Sequence, residues 1–292
     1  MHRIIDTAKG WYTKIDEYNR RKRYKKDFKY FSQHHTDKYS VMNCDDEDIL
    51  FLVPHADDDL FGGYALATKY KDKCVYGYFG LTGSNKTIEN KVRRDQEFKA
   101  FCQRMNVQYF FLDDIKDLIG LIANKNSLHI FVPSIIDWHP EHRLLNYYLL
   151  DSLKAVKDCN IRISWYSVTV PICFRTAEII PMAVEEQQKK YRLFKDVYLT
   201  QKHMPIQRFI LQERINALKT QFYSGEIFLD LDLSVWKRAV EYIRPQENDS
   251  GVVYEFNRLS SKINSLKEIR VLSRKYYDSL LEDGEKYIDG SR

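Results

Sequence analysis

The run Pro54-His55-Ala56-Asp57-Asp58-Asp59 sets one imidazole beside three adjacent carboxylates. Carboxylates this close repel one another, so the cluster calls for a cation among them. A divalent metal is the economical choice, and a histidine-plus-carboxylate set favours zinc or a similar transition metal over magnesium or calcium. A spacing of three lets His55 and Asp58 face one ion across a turn or the first turn of a helix. Asp57 then points elsewhere and is free to act as a base. Helix capping would account for one of the aspartates, but not for His55 and two further carboxylates. A second run, Asp137-Trp138-His139-Pro140-Glu141-His142-Arg143, holds two histidines three residues apart, with Pro140 suited to the first turn of a helix. One of these imidazoles can complete a metal site while the other faces a substrate; the spacing alone does not say which. Asp137 either orients a ligand histidine from behind or is a solvated loop acid. Trp138 is either a stacking surface for a sugar ring or a core residue.

Both runs must be held together by the elements that carry them. Residues 49–53 are a short apolar run ending at Pro54, as a buried strand requires. Residues 75–81, 109–112, 128–132 and 161–170 read as further strands. Helical periodicity covers 88–105, 115–123 and 144–156. The alternation predicts an α/β fold, a Rossmann-like layered structure whose mostly parallel sheet has helices on both faces. Ligands bind such sheets at the carboxyl ends of the strands, where both runs fall. No Gly-x-Gly-x-x-Gly follows the first strand, which disfavours a dinucleotide enzyme. Further helices are expected at 185–199, 205–221 and 234–243. A loop is expected at 245–251, and Leu259, Ile263, Leu266, Ile269 and Leu272 form a helical stripe.

This gives three segments: a basic helical N-terminal arm at 1–48, a catalytic domain at 49–230 and a helical C-terminal extension at 231–292. The net charge of +5 over 292 residues is uneven, with residues 1–40 carrying +6 and the remainder −1. A uniformly basic nucleic-acid binder is therefore not expected, and no nucleic-acid partner is assigned. In the arm, Trp11, Ile15, Tyr18, Tyr24, Phe28 and Phe31 recur at helical spacing among seven basic residues between Arg20 and Lys29. Either residues 11–31 make a peripheral contact with an anionic membrane, or the aromatics pack on the domain or on a second copy in a homo-oligomer. No apolar run approaches the ~20 residues of a membrane span, and residues 1–16 lack the apolar stretch of a secretory signal. The 5 cysteines are scattered, without disulfide or zinc-knuckle spacing. The expected setting is cytoplasmic, at most peripheral to the inner face of a membrane.

The first run resembles the His-Pro-Asp-Asp-Glu signature of the LmbE-like/PIG-L deacetylases, and His139-Pro140-Glu141-His142 resembles that family's His-Pro-Asp-His motif. The resemblance spans roughly residues 48–228. It includes weaker agreements at Thr82-Gly83, Arg94, Glu97, Thr200-Gln201, Glu226 and Phe228. It implies a Rossmann-like zinc enzyme that removes an acyl group, usually acetyl, from the nitrogen of an amino sugar or glycoconjugate. It also implies Zn2+ held by His55, Asp58 and His142, Asp57 as general base, His139 as stabiliser of the developing oxyanion, and Arg94 as a substrate contact. Three departures stand out: Ala56 replaces Pro, Asp59 replaces the Glu that supports the site, and Ser84 stands where many members have Asp. None removes an implied ligand or the base. A non-catalytic metal-binding scaffold acting through the helical extensions is the competing reading. Phosphoester hydrolysis is a third, weakened by the lack of a second metal set.

Overall fold

A computed structural model describes residues 2–83, 87–123, 125–156, 159–247 and 251–281, with side chains from residue 17 onward. The strands are β1 (Ser40–Val41), β2 (Ile49–Val53), β3 (Cys74–Tyr78), β4 (Gln108–Phe111), β5 (Ser127–Pro133), β6 (Asn160–Tyr166), β7 (Glu178–Met182) and β8 (Ser224–Leu231). The helices are α1 (His2–His34), α2 (Asp58–Tyr70), α3 (Ile88–Met105), α4 (Ile115–Ala123), α5 (Pro140–Ala155) and α6 (Val184–Val197). They continue with α7 (Ile206–Asn216), α8 (Leu233–Ile243), α9 (Val252–Arg258) and α10 (Leu266–Leu281).

One sheet contains all eight strands, in the order β1-β7-β8-β6-β5-β2-β3-β4. The expected α/β architecture is what the chain adopts. β2 is apolar at every position because it is covered on both faces. Ile49, Phe51 and Val53 join one core with α2, α3 and α6, while Leu50 and Leu52 join the other with α4 and α5. β2 pairs in parallel with β3 on one side and β5 on the other. From β2 the chain winds outward through β3 to β4, then returns to β5 and winds the other way to β6. The winding reverses between β2 and β5, and a crevice opens there beyond their carboxyl ends.

α2 must lie close against the sheet to start at that crevice. A Cβ on Gly62 would overlap the Tyr166 ring, and one on Gly63 would come within 2.7 Å of the Tyr76 hydroxyl. Only glycine permits this approach.

Three strands escape the sequence pattern: the two-residue β1, β7 and β8. β8 runs antiparallel between β6 and β7. Its alternation is interrupted by Glu226, which is buried because Lys190 and the Ala65 amide satisfy it. β7 contains Pro181, a residue that argues against a central strand. It is tolerated because β1 pairs only with Glu178 and Ile179, leaving that side of Pro181 without a ladder partner. The strand expected over 161–170 stops at Tyr166, and residues beyond it turn toward the site.

The helical stripe at 259–272 divides into a 3-10 turn over Leu259–Lys262 and the start of α10. Trp236, Val240, Ile243, Phe256, Leu259, Ile269 and Tyr277 lie in the same core as Leu50 and Leu52. In α1, Tyr24 and Phe31 are buried against Leu211, Ile215 and Leu266, while Phe28 lies under the Arg214 guanidinium at 4.7 Å. Arg21, Lys22, Arg23, Lys25, Lys26 and Lys29 face solvent. Tyr24 and Phe31 of the arm are thus used in packing, while Tyr18 is exposed; the side chains of Trp11 and Ile15 lie outside the described residues. Among the described residues no helix is long and apolar enough to cross a membrane.

Candidate metal centre

The first run is the turn from β2 into α2. Asp57 caps α2 through its carbonyl, which accepts from the amides of Leu60 at 3.1 Å and Phe61 at 2.8 Å. Its side chain caps nothing, and its backbone sits at φ 122°, a conformation that strains any residue with a Cβ. Neighbours hold it there. The Asp57 amide donates to Asp59 Oδ1 at 2.7 Å, and the Tyr198 hydroxyl fixes Asp59 Oδ2 at 2.7 Å. Arg94, from α3, donates to Asp57 Oδ1 at 2.9 Å and to the Ala56 carbonyl at 2.7 Å. The Gln201 amide, oriented oxygen-inward, accepts from the same guanidinium at 2.9 Å. Thr200 is anchored to Glu97 through its amide and its hydroxyl, each at 2.6 Å. Arg94 is therefore bonded to Asp57 and the turn around it, rather than reaching toward open space.

The second run leaves the end of β5 and becomes the start of α5. It brings its histidines against the first run, with the ring centres of His55, His139 and His142 between 4.5 and 5.2 Å apart. His55 Nδ1 lies 2.9 Å from Asp58 Oδ2, and His142 Nε2 lies 3.3 Å from each of these atoms. Ligand atoms around a tetrahedral zinc stand roughly 3.2–3.6 Å apart, so this spacing fits one ion with little rearrangement. The far nitrogens complete the fit. His142 Nδ1 faces Asp137 Oδ2 at 3.1 Å, and His55 Nε2 faces Glu141 Oε2 at 2.6 Å. A carboxylate behind an imidazole favours the proton on the far nitrogen and a free lone pair on the near one; Glu141 is hydrogen-bonded to His55 in this way, and Asp137 stands behind His142 as an ion-pair neighbour. His139 offers a further nitrogen within reach of His55 and His142.

Two of the residues behind the histidines are not assigned by the sequence. Glu141 accepts from the Gly83 amide at 2.8 Å as well as facing His55. Gly83, at φ +61°, is thereby tied to the second run, while Ser84 lies outside the described residues. The only sequence signal for Glu141 was its position between the two histidines. Thr169 donates to the Asp137 carboxylate, 3.0 and 3.1 Å from its two oxygens. A threonine 32 residues away carries no such signal in the sequence. Asp137 also accepts from the His139 amide at 2.8 Å, so it serves both histidines. Trp138 is partly buried against the core and edge-on to His139.

Charge is concentrated here. Burial raises the Asp57 pKa, and the adjacent Asp58 raises it further against Arg94, to about 7. Burial pushes the Asp59 carboxyl well up. His139 is lowered to about 4 by burial and then by the other two histidines, so it is neutral at neutral pH. Burial opposes charge on His55 and His142, yet the carboxylates outweigh it. His55 is raised mainly by Asp58, and His142 to about 10 by Asp58 and Asp137. Without a metal, His142 holds a proton that a metal must displace, and the shift on His55 runs the same way. Zinc uptake near pH 7 is therefore expected to release protons, and the apparent affinity to strengthen as the pH rises toward about 10. The sign follows from competition, because acid refills the imidazoles and expels the ion. Titration calorimetry in two buffers of different ionisation enthalpy checks this; an identical heat in both would contradict it.

Cys44, Glu47 and His129 form a second group with metal-type donors, at the opposite end of the sheet. His129 Nδ1 lies 2.9 Å from Glu47 Oε2 and 3.6 Å from Cys44 Sγ. A cation is already present there, since Arg162 bonds Glu47 at 3.0 Å and Asp230 at 2.9 Å.

No protein-family model matches the sequence, and no curated protein matches it. Solved structures similar in shape include the following two. One is the 4-carboxy-2-hydroxymuconate hydratase of Pseudomonas putida KT2440, with a TM-score of 0.53 and 11% identity over 64% of this chain and 96% of the hydratase. The other is the N,N'-diacetylchitobiose deacetylase of Pyrococcus horikoshii, with a TM-score of 0.47 and 17% identity over 64% of this chain and 84% of the deacetylase. The hydratase shows that the layered α/β fold is shared with a protein of very different sequence.

Proposed function

We propose that the protein is a zinc-dependent hydrolase of the LmbE-like/PIG-L type, removing an N-acetyl group from an amino sugar or glycoconjugate. The observation that carries this reading is the meeting of His55 Nδ1, Asp58 Oδ2 and His142 Nε2, with the strained Asp57 beside them. The motif resemblance supports the family. The fold does not choose the reaction, because a hydratase has it too.

His55, Asp58 and His142 would hold the metal, which supplies a Lewis acid that acidifies water and polarises the amide carbonyl. Asp57 takes the proton from the attacking water. Its raised pKa suits it to accept at neutral pH, and Arg94 keeps Oδ1 aimed and partly neutralised. His139, neutral and half-buried, donates to the carbonyl oxygen as negative charge develops there. The C–N bond breaks, the amine leaves with the proton returned from Asp57, and acetate is released. Asp59 and Tyr198 hold the Asp57 backbone, while Asp137 and Glu141 hold the histidines.

The test is a panel of N-acetylated nucleotide sugars, inositol glycosides and oligosaccharides, offered to zinc-loaded protein and assayed for free amine and acetate. At least one is expected to yield both products in equal amounts. Full metal content with no release from any of them would favour the scaffold reading.

A further inference from the structure

We propose that Glu247, beyond the end of α8, is a positioning residue for the metal centre, acting through Arg143 on the turn that carries Asp137, His139 and His142. This rests on the metal reading of that site. Arg143 directly follows His142 and is only 1% exposed. A guanidinium so buried requires full satisfaction by partners, because an unpaired charge is costly there. Its Nε and Nη2 donate to the two carboxylate oxygens of Glu247, at 2.7 and 2.8 Å, in a forked pair. Its Nη1 donates to the Asp137 carbonyl at 2.6 Å. The side chain thus bridges residue 143 back to residue 137 and closes the turn on itself. Tyr147, one helical turn on, donates at 2.6 Å to Glu247 Oε1, the oxygen that also accepts from Arg143 Nε.

The same C-terminal segment grips the start of this turn. The Tyr277 hydroxyl, from α10, lies 2.5 Å from Ser134 Oγ, which in turn accepts from the Ile136 amide at 3.1 Å. Residues 134–143 are therefore held at both ends from beyond residue 231. Packing of α8 itself rests on Trp236, Val240 and Ile243, none of which belongs to the clamp. Attachment of the extension and alignment of the metal site are thus separable. If Glu247 loses its charge, Arg143 loses the forked partner that aims Nη1 at Asp137. The Asp137 backbone then loses its tie, and its carboxylate, which stands behind His142, keeps only its bonds to Thr169 and the His139 amide.

The experiment compares the wild type, Glu247→Gln, Tyr277→Phe and, as a control for the extension's packing, Ile243→Val. Each is measured for zinc affinity by chelator competition, for the visible absorption of the Co2+ form, and for thermal midpoint without metal. Groups that support metal ligands typically contribute 10–100-fold in affinity, so Glu247→Gln is expected to weaken zinc about 10-fold and alter the Co2+ spectrum. Tyr277→Phe should shift both in the same direction by a smaller factor. Ile243→Val should lower the midpoint and leave both metal readouts unchanged. If Glu247→Gln and Tyr277→Phe bind zinc within about twofold of wild type, with the same Co2+ spectrum, the positioning role is overturned even if their midpoints fall. Should Glu247→Gln not fold, the Tyr277→Phe result decides alone. A wild-type protein that takes up neither ion sinks the metal reading itself, and this role with it.

Discussion

His142→Ala is expected to leave a folded protein that no longer retains zinc. The expectation separates two histidines that sequence spacing treats alike. His142 is buried, its Nε2 is 3.3 Å from both His55 Nδ1 and Asp58 Oδ2, and its other nitrogen faces Asp137. His139 has no carboxylate behind it, whereas Asp137 Oδ2 stands 3.1 Å from His142 Nδ1. Loss of a direct ligand should exceed the ~10–100-fold weakening that follows loss of a group behind a ligand. The fold should persist, because the two cores on either face of the sheet are built without the metal. Some destabilisation is expected, since Asp58 and Asp137 lose a buried cationic neighbour. His139→Ala should keep the metal and lose rate. Metal analysis after dialysis, with circular dichroism for the fold, decides the matter. Full occupancy in His142→Ala, or metal loss in His139→Ala with retention in His142→Ala, would replace the ligand set.

Asp57→Asn should show the opposite pattern, with metal kept and turnover lost. Asparagine has nearly the shape of aspartate and can still accept from Arg94 through its carbonyl, so the strained turn should survive. It cannot accept the proton of the attacking water. A general base contributes ~10²–10⁴-fold, and the loss should fall in that range, in kcat more than in KM. Because asparagine carries no charge, the repulsion between Asp57 and Asp58 is removed, and zinc content should not fall. Activity within about threefold of wild type would assign the base elsewhere.

The two runs and the strand ends that carry them were readable from the sequence because their signals are local. A strand buried on both faces must be apolar throughout, as Ile49–Val53 is, and the polar residues that follow it must lie at its end. The pairing of Arg94 with Asp57 was not readable, because the two lie 37 residues apart and on different elements. β7 and β8 were hidden by Pro181 and Glu226, whose polar and conformational costs are relieved only by neighbours distant in the chain.

From sequence alone came the chemistry on offer: imidazoles and carboxylates at metal-binding spacing, and an alternating order of elements that builds a mostly parallel sheet. Periodicity and residue type are properties of neighbouring positions, so they survive without a structure. The tertiary structure decided which of these groups meet and how each is held. It set β2 beside β5 at the point where the winding reverses, and so brought residues 87 positions apart within 3.3 Å. It placed Glu141 behind His55, Thr169 behind Asp137 and Glu247 behind Arg143, and it turned the arm's central aromatics onto α7 and α10. Each of these depends on a buried polar or apolar group finding its partner across the fold. The desolvation that makes such a partnership necessary exists only once the chain has closed around it.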